Sequence, residues 1–162
     1  MMSINTILSH DFKFSDSKKI KVGIVTSFWN NDITSMLKNS CHNYLINVGL
    51  KKSNIVHVDV PGSMELVLAS DLLINKKKID GVIALGCIIK GETNHDRYIS
   101  QSVCNGLVDV SLKHSLPVIF CVLTTDSKKQ ALERAGGKNG NKGEDSAYSF
   151  LKMIELKDNL NT

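Results

Sequence analysis

The chain has 162 residues, of which 42% are hydrophobic and 22% charged, and its formal net charge is +4. Its apolar runs are too short to cross a membrane, and its first residues lack the apolar core of a secretory signal, so we expect a cytoplasmic protein. The lysines form short groups at predicted helix ends, which argues against a nucleic-acid partner, and the four cysteines lack CxxC spacing, which argues against disulfides and zinc.

Residues 1–19 fit neither a helix nor a strand pattern and are predicted to form an N-terminal arm before a domain spanning residues 20–158. Four runs rich in Val and Ile follow, starting at Ile20, Ile55, Ile79 and Pro117. These runs are apolar on both faces, as parallel strands covered by helices require.

Amphipathic stretches alternate with these runs and predict helices over residues 33–48, 64–77, 95–113, 126–137 and 144–160. Gly49 should end the first of them, and Asp126 is the expected N-cap of the fourth. The pattern predicts an α/β fold: a single three-layer domain in which a four-stranded parallel sheet lies between helix layers.

In such a sheet the loops that follow the strands share one edge, where ligands bind. Trp29 lies just beyond the first strand, where it is either a core residue or a stacking surface for a heteroaromatic ring, with Asn30 beside it. The turn at residues 61–65 either only starts a helix or also presents the Glu65 carboxylate to the hydroxyls of a polyol.

The third strand is followed by a turn, Gly91-Glu92-Thr93, that can present N–H groups and a hydroxyl to an anion. His95 comes next, and a histidine at a ligand edge suits proton transfer near neutral pH, although a structural role is the alternative. A glycine-rich segment, residues 133–143, begins at the end of the fourth predicted helix. It is either a helix C-cap followed by a flexible loop or a turn whose exposed amides, with Arg134 and Lys142, suit a phosphorylated ligand.

Four segments together resemble the motifs of the lumazine synthase family: FWN (28–30), VPGSMEL (60–66), GCIIKGETNH (86–95) and PVIFCVLTTDSKKQALERAGGKNGNKG (117–143). The resemblance implies a flavodoxin-like fold and a step of riboflavin biosynthesis. In that step, 5-amino-6-(D-ribitylamino)uracil and 3,4-dihydroxy-2-butanone 4-phosphate condense to 6,7-dimethyl-8-ribityllumazine, phosphate and water, without a metal or redox cofactor.

The resemblance also implies roles for individual residues. Trp29 and Asn30 would contact the pyrimidine, which the backbone of Ile88, Ile89 and Lys90 would read. The ribityl chain would lie on Ser63, Met64 and Glu65, and the phosphate on Gly91, Glu92 and Thr93. His95 and Arg134 would be catalytic, and a neighbouring subunit would contribute Phe120, Arg134 and Lys142.

Members of this family form homopentamers, and some build sixty-subunit shells, so the resemblance implies at least a pentamer. Five sites depart from the usual family residues: Phe28, Met64, Lys90, Asn94 and the pair Asp96-Arg97. Two alternatives stay open at this point: a shell-forming homologue with weak activity, and a flavin-binding module whose Thr26-Ser27 would hold a phosphate.

Overall fold

A computed structural model describes residues 19–160, so the predicted arm lies outside the described residues except for Lys19. The predicted α/β fold is confirmed. Four parallel strands form one sheet in the order β2-β1-β3-β4. These strands are β1 (Val22–Ser27), β2 (Ile55–Val60), β3 (Gly81–Ile89) and β4 (Val118–Thr125).

Five α-helices in the described part of the chain connect and follow these strands. They are α1 (Asn31–Asn47), α2 (Glu65–Lys77), α3 (His95–His114), α4 (Lys128–Arg134) and α5 (Lys142–Leu160). A 3₁₀ turn, Lys52–Asn54, precedes β2. None of these helices is long and apolar enough to cross a membrane.

Two apolar cores lie on opposite faces of the sheet. On one face α1 and α5 pack over Ile24 and Ile83 of the sheet, and Phe150 of α5 belongs to the same cluster; all three are fully buried. On the other face α2 and α3 pack over Val25 and Val82. Strands buried on both faces explain why the four runs read as almost continuous apolar sequence.

The helix boundaries follow local backbone chemistry, with two corrections to the prediction, both for α4. This helix was predicted to run to residue 137, but it ends at Arg134, and Ala135–Gly137 form a short strand. Gly49 lies just beyond α1 with φ of 102°, a left-handed conformation that ends the helix as predicted. The prediction of Asp126 as the N-cap of α4 was wrong. Ser127 is the N-cap, because its hydroxyl accepts a hydrogen bond from the backbone N–H of Gln130.

The glycine-rich segment after α4 forms a short antiparallel hairpin, β5 (Ala135–Gly137) and β6 (Gly140–Asn141). The Asn141 side chain closes it, donating a hydrogen bond to the Ala135 carbonyl (2.9 Å) and accepting one from the Gly143 N–H (2.9 Å). The hairpin thus connects α4 directly to the first turn of α5.

Gly143 lets α5 approach α1 closely. A methyl group at this position would lie 2.1 Å from the carbonyl oxygen of Leu37, which belongs to the α1 backbone. The clash cannot be relieved by rotating a side chain, because the obstructing atom is backbone. The α1–α5 packing therefore requires glycine at residue 143.

We predict that Gly143→Ala lowers the free energy of unfolding by about 1–3 kcal/mol, because the two helices must separate to admit the methyl group. Equilibrium unfolding in urea at matched protein concentration measures the change. Gly91→Ala is the matched control, since a methyl group there meets nothing within 4 Å. Equal stability of the two variants would contradict the prediction.

Candidate active site

A cavity of about 500 Å³ opens where the loops after β1, β2 and β3 meet. This volume is within the range of small-molecule sites. It lies where β1 and β3 are neighbours and the chain leaves them toward opposite ends of the sheet, the position at which doubly wound proteins bind ligands. Predicted site residues that line it are Trp29, Asn30, Ser63, Met64, Glu65, Ile88, Ile89, Gly91, Thr93 and His95.

The loop after β1 extends the pairing with β2 beyond the strand ends. The backbone N–H of Trp29 donates to the carbonyl of Pro61 (3.1 Å), which fixes the residue at the rim of the cavity. The indole is 72% exposed, so the alternative of a core tryptophan is excluded. Its face is therefore available for stacking against a planar ligand.

Asn30 connects two strand ends. Its backbone adopts the left-handed conformation with φ of 60°, which asparagine tolerates better than most residues. Its amide nitrogen donates to the carbonyl of Cys87 near the end of β3 (2.9 Å), and its own carbonyl accepts from the N–H groups of Ile33 and Thr34. Asn30 thereby holds the start of α1 against β3.

The turn after β2 is closed by Glu65, whose carboxylate accepts a hydrogen bond from the backbone N–H of Gly62 (2.8 Å). Ser63 is buried beneath this turn and lies over Gly86 of β3, where a side chain would collide with the serine hydroxyl at 2.9 Å. Met64 is exposed at the rim. The carboxylate of Glu65 therefore supports the turn whatever else it binds.

The loop after β3 brings Gly91 and Thr93 to the cavity immediately before α3 begins at His95. A helix start carries unpaired N–H groups and positive potential, so this turn can hold an anion. His95 is exposed and faces the same cavity. Both an anion site and a titratable group therefore lie at one end of the cavity.

The cavity has no thiolate, because burial raises the pKa of Cys87 to about 11. A smaller polar cavity of about 160 Å³ adjoins it, and Ile88 and Asp96 line both. Lys90 lines only the smaller cavity, together with Thr125 at the end of β4 and Asp126 just beyond it. Asp96 thus separates the two spaces, directly after His95.

Five predicted site residues do not line the main cavity. Lys90 lies in the smaller one, and Glu92 is exposed on the turn before α3. The other three are remote: Phe120 on β4 is 38% exposed, Arg134 ends α4, and Lys142 begins α5 with its ammonium paired to Asp145. One chain therefore brings together only part of the predicted set.

Four residues that line the cavity were not among the predicted site residues: Gly62, Cys87, Asp96 and Ile99. The Pro61-Gly62 turn indicated the first of them. Cys87 lies within an apolar strand, and the pattern of side chains along that strand does not mark it as a cavity residue. It is buried, and part of its contribution to the site is its carbonyl, which accepts the hydrogen bond from Asn30. Ile99 lies one helical turn after His95, so the start of α3 could have indicated it.

The flavin-binding alternative is not supported. Thr26 and Ser27 belong to β1 and are buried, with 3% and 0% exposure, so neither hydroxyl can reach a phosphate. Within residues 19–160, no group of three or more His, Cys, Asp or Glu side chains could hold a metal ion.

Fold and site define a doubly wound α/β protein that binds a small polar ligand at the carboxyl edge of its sheet. The family model described as 6,7-dimethyl-8-ribityllumazine synthase matches residues 19–158. The chain belongs to this family, whose members act in riboflavin biosynthesis.

Curated proteins named 6,7-dimethyl-8-ribityllumazine synthase are similar over most of the chain. One from Cytophaga hutchinsonii is 48% identical over 132 residues, which cover 82% of this chain and 83% of the relative. One from Parabacteroides distasonis is 40% identical, with 87% and 88% covered. One from Levilactobacillus brevis is 41% identical, with 89% and 92% covered.

We predict that Glu65→Ala destabilises the fold by about 1 kcal/mol, because the Gly62 N–H loses its acceptor. Glu65→Gln should be close to the native protein in stability, since the amide oxygen can accept the same bond. Urea unfolding followed by the fluorescence of Trp29, the sole tryptophan, measures both variants. Indistinguishable Ala and Gln variants would show that the bond does not stabilise the turn.

Proposed function

We propose that this chain condenses 5-amino-6-(D-ribitylamino)uracil with 3,4-dihydroxy-2-butanone 4-phosphate to give 6,7-dimethyl-8-ribityllumazine, phosphate and water. The observation that carries the proposal is one cavity in which three loops combine an exposed indole, a turn with a serine and a carboxylate, and a glycine turn followed by a histidine. Each feature matches one part of the two substrates. Family membership and the names of the relatives support the same reaction.

The pyrimidine would stack on the exposed face of Trp29, with its polar edge against the backbone of Ile88 and Ile89 at the end of β3. These strand-end groups are suited to reading a ring edge, because β3 pairs with β4 through Ile89 and stays fixed. The ribityl hydroxyls would bond to Ser63 and to the remaining carboxylate oxygen of Glu65, whose other oxygen holds the turn.

The phosphate of the second substrate would bind the N–H groups and hydroxyl of the Gly91–Thr93 turn at the start of α3. Arg134 would add a planar guanidinium, which grips phosphate at two points where lysine offers a single charge. Lys142 would contribute further positive charge.

The reaction begins when the 5-amino group attacks the ketone carbonyl and water leaves, which forms an imine. Removal of the proton at the adjacent carbon expels phosphate and gives an enol, which becomes a second carbonyl. The ribityl-bearing nitrogen attacks this carbonyl, and loss of a second water closes the ring. His95 would accept and return the protons, and positioning of both substrates would supply much of the acceleration.

We further propose that the complete site is built from two copies of the chain. Phe120, Arg134 and Lys142 lie away from the cavity in their own chain, which supports their use in a neighbour's cavity. Exposed apolar pairs one helical turn apart, Leu68 with Leu72 and Val108 with Leu112, cover the outer faces of α2 and α3. Such surface is typical of subunit contacts.

The smallest assembly we propose is a homopentamer, with a sixty-subunit shell as its larger form. The proposed setting is the cytoplasm, because a phosphorylated substrate does not cross membranes unaided. The proposal requires no redox cofactor or catalytic metal, since every step is an addition, an elimination or a proton transfer. The alternative role, a shell-forming homologue with weak activity, predicts assembly without rapid turnover.

We predict rapid lumazine formation by the purified protein, followed optically with both substrates present. His95→Ala should lower kcat by about 10²–10⁴-fold, because general acid–base catalysis is lost. Arg134→Ala should lower kcat/KM for the butanone phosphate by about 10–100-fold, and Arg134→Lys should restore only part of it, since the two-point contact is missing.

His114→Ala and Lys129→Ala are the matched controls. His114 ends the helix that His95 begins, and Lys129 lies exposed on the helix that Arg134 ends. Both should retain the native rate. A correctly assembled protein with no turnover above the uncatalysed condensation would overturn the enzymatic proposal and favour the alternative role.

We predict that the impaired His95→Ala and Arg134→Ala chains restore activity to one another when they are co-assembled. Random mixing places an intact His95 beside a neighbour's intact Arg134 in about one quarter of sites, so about one quarter of the native rate should return. Co-expression with distinct tags and purification of mixed assemblies tests this. No recovery in verified mixed assemblies would show that each chain forms its site alone.

A further inference from the structure

Two histidines, His42 and His57, lie in contact outside both cavities, one on a helix and one on an edge strand. His57 lies on β2, which pairs only with β1 within residues 19–160, and His42 lies on α1. Nε2 of His57 is 3.1 Å from Nδ1 of His42, and the ring centroids are 5.1 Å apart. Neither histidine lines either cavity.

We propose that His42 and His57 form a two-nitrogen site for a divalent transition-metal cation of the copper, nickel and zinc class. Imidazole nitrogen is a preferred ligand of these cations, whereas calcium and magnesium prefer oxygen. Water molecules would complete the coordination.

The separation of the two nitrogens fits this use. Metal–nitrogen bonds of about 2.0–2.1 Å place two ligand nitrogens about 2.9 Å apart at a right angle and about 3.3 Å apart at a tetrahedral angle. The observed 3.1 Å lies between these values. Rotation of the rings would therefore be enough to point both nitrogen lone pairs at a common metal position. The ring of His57 is exposed and has room to rotate.

In the metal-free protein the same two atoms are within hydrogen-bond distance, so one ring donates N–H to the other. A cation needs both lone pairs. A shift of the donated proton to the other nitrogen of the same neutral ring provides them, with no net proton release. The same two histidines would therefore either hydrogen-bond to each other or bind a cation together.

The two histidines have one positively and one negatively charged neighbour, and these two neighbours pair with each other. Lys38, one turn before His42, and Asp59, two residues after His57 on the same side of β2, form an ion pair of 2.7 Å. Burial, helped by the charges of Lys38 and His42, lowers the pKa of His57 below its ordinary value.

The test uses tag-free protein at pH 7.5, titrated with Cu²⁺, the strongest binder of its series. Calorimetry should show one equivalent per chain, and electron paramagnetic resonance should show two coordinated nitrogens. The equivalent should be lost in both His42→Gln and His57→Gln and retained in His114→Gln. Binding should also weaken as the pH is lowered, because protons compete with the cation for the two nitrogens.

Three results would overturn the proposal. They are no binding, binding retained in both glutamine variants, and loss in only one variant, which would indicate a single adventitious histidine. Thermal unfolding provides a second measurement, because a ligand that prefers the folded chain raises Tm in the native protein but not in the variants. Lumazine formation should be unchanged in both variants, which separates this site from the reaction.

Discussion

The contact between β1 and β3 organises the functional part of this molecule. These two strands are neighbours in the sheet, yet α1 leaves β1 toward β2 while α3 leaves β3 toward β4, on opposite faces. The diverging helices leave a crevice at the carboxyl ends of both strands, because no connection crosses it. The parallel register from Val22 opposite Gly81 to Thr26 opposite Leu85 brings both strand ends to that crevice together.

Within the crevice, hydrogen bonds to backbone groups, rather than salt bridges, hold the loops in place. Trp29 is tied to the turn after β2 through its N–H, Asn30 to β3 through its amide, and Glu65 to its own turn through Gly62. Each loop therefore rests on a strand end that is itself fixed by the sheet. This arrangement holds the side chains that line the cavity on a rigid support, which is what precise positioning of a ligand requires.

The exposure of Trp29 and the positions of Arg134 and Lys142 support the proposed two-chain site. In a single chain the indole of Trp29 is uncovered, and the phosphate-binding candidates Arg134 and Lys142 lie at the start and end of the hairpin away from the cavity. The same hairpin is ordered by Asn141 and anchored through Gly143 against α1. A firmly held hairpin can carry its charges into a neighbouring molecule, where a mobile loop would lose more entropy on binding.

The amino-acid sequence by itself determined the fold class, the four strands and most of the cavity lining. Buried parallel strands leave continuous apolar runs, and turns into helices require glycine and polar residues. The N-cap at Ser127 and the β5–β6 hairpin were missed, because Ser and Asp cap helices almost equally well and short glycine-rich strands have no apolar alternation. Only the tertiary structure decided which residues share a cavity, which lie outside it, and that His42 contacts His57, since these distances depend on how helices pack across the sheet.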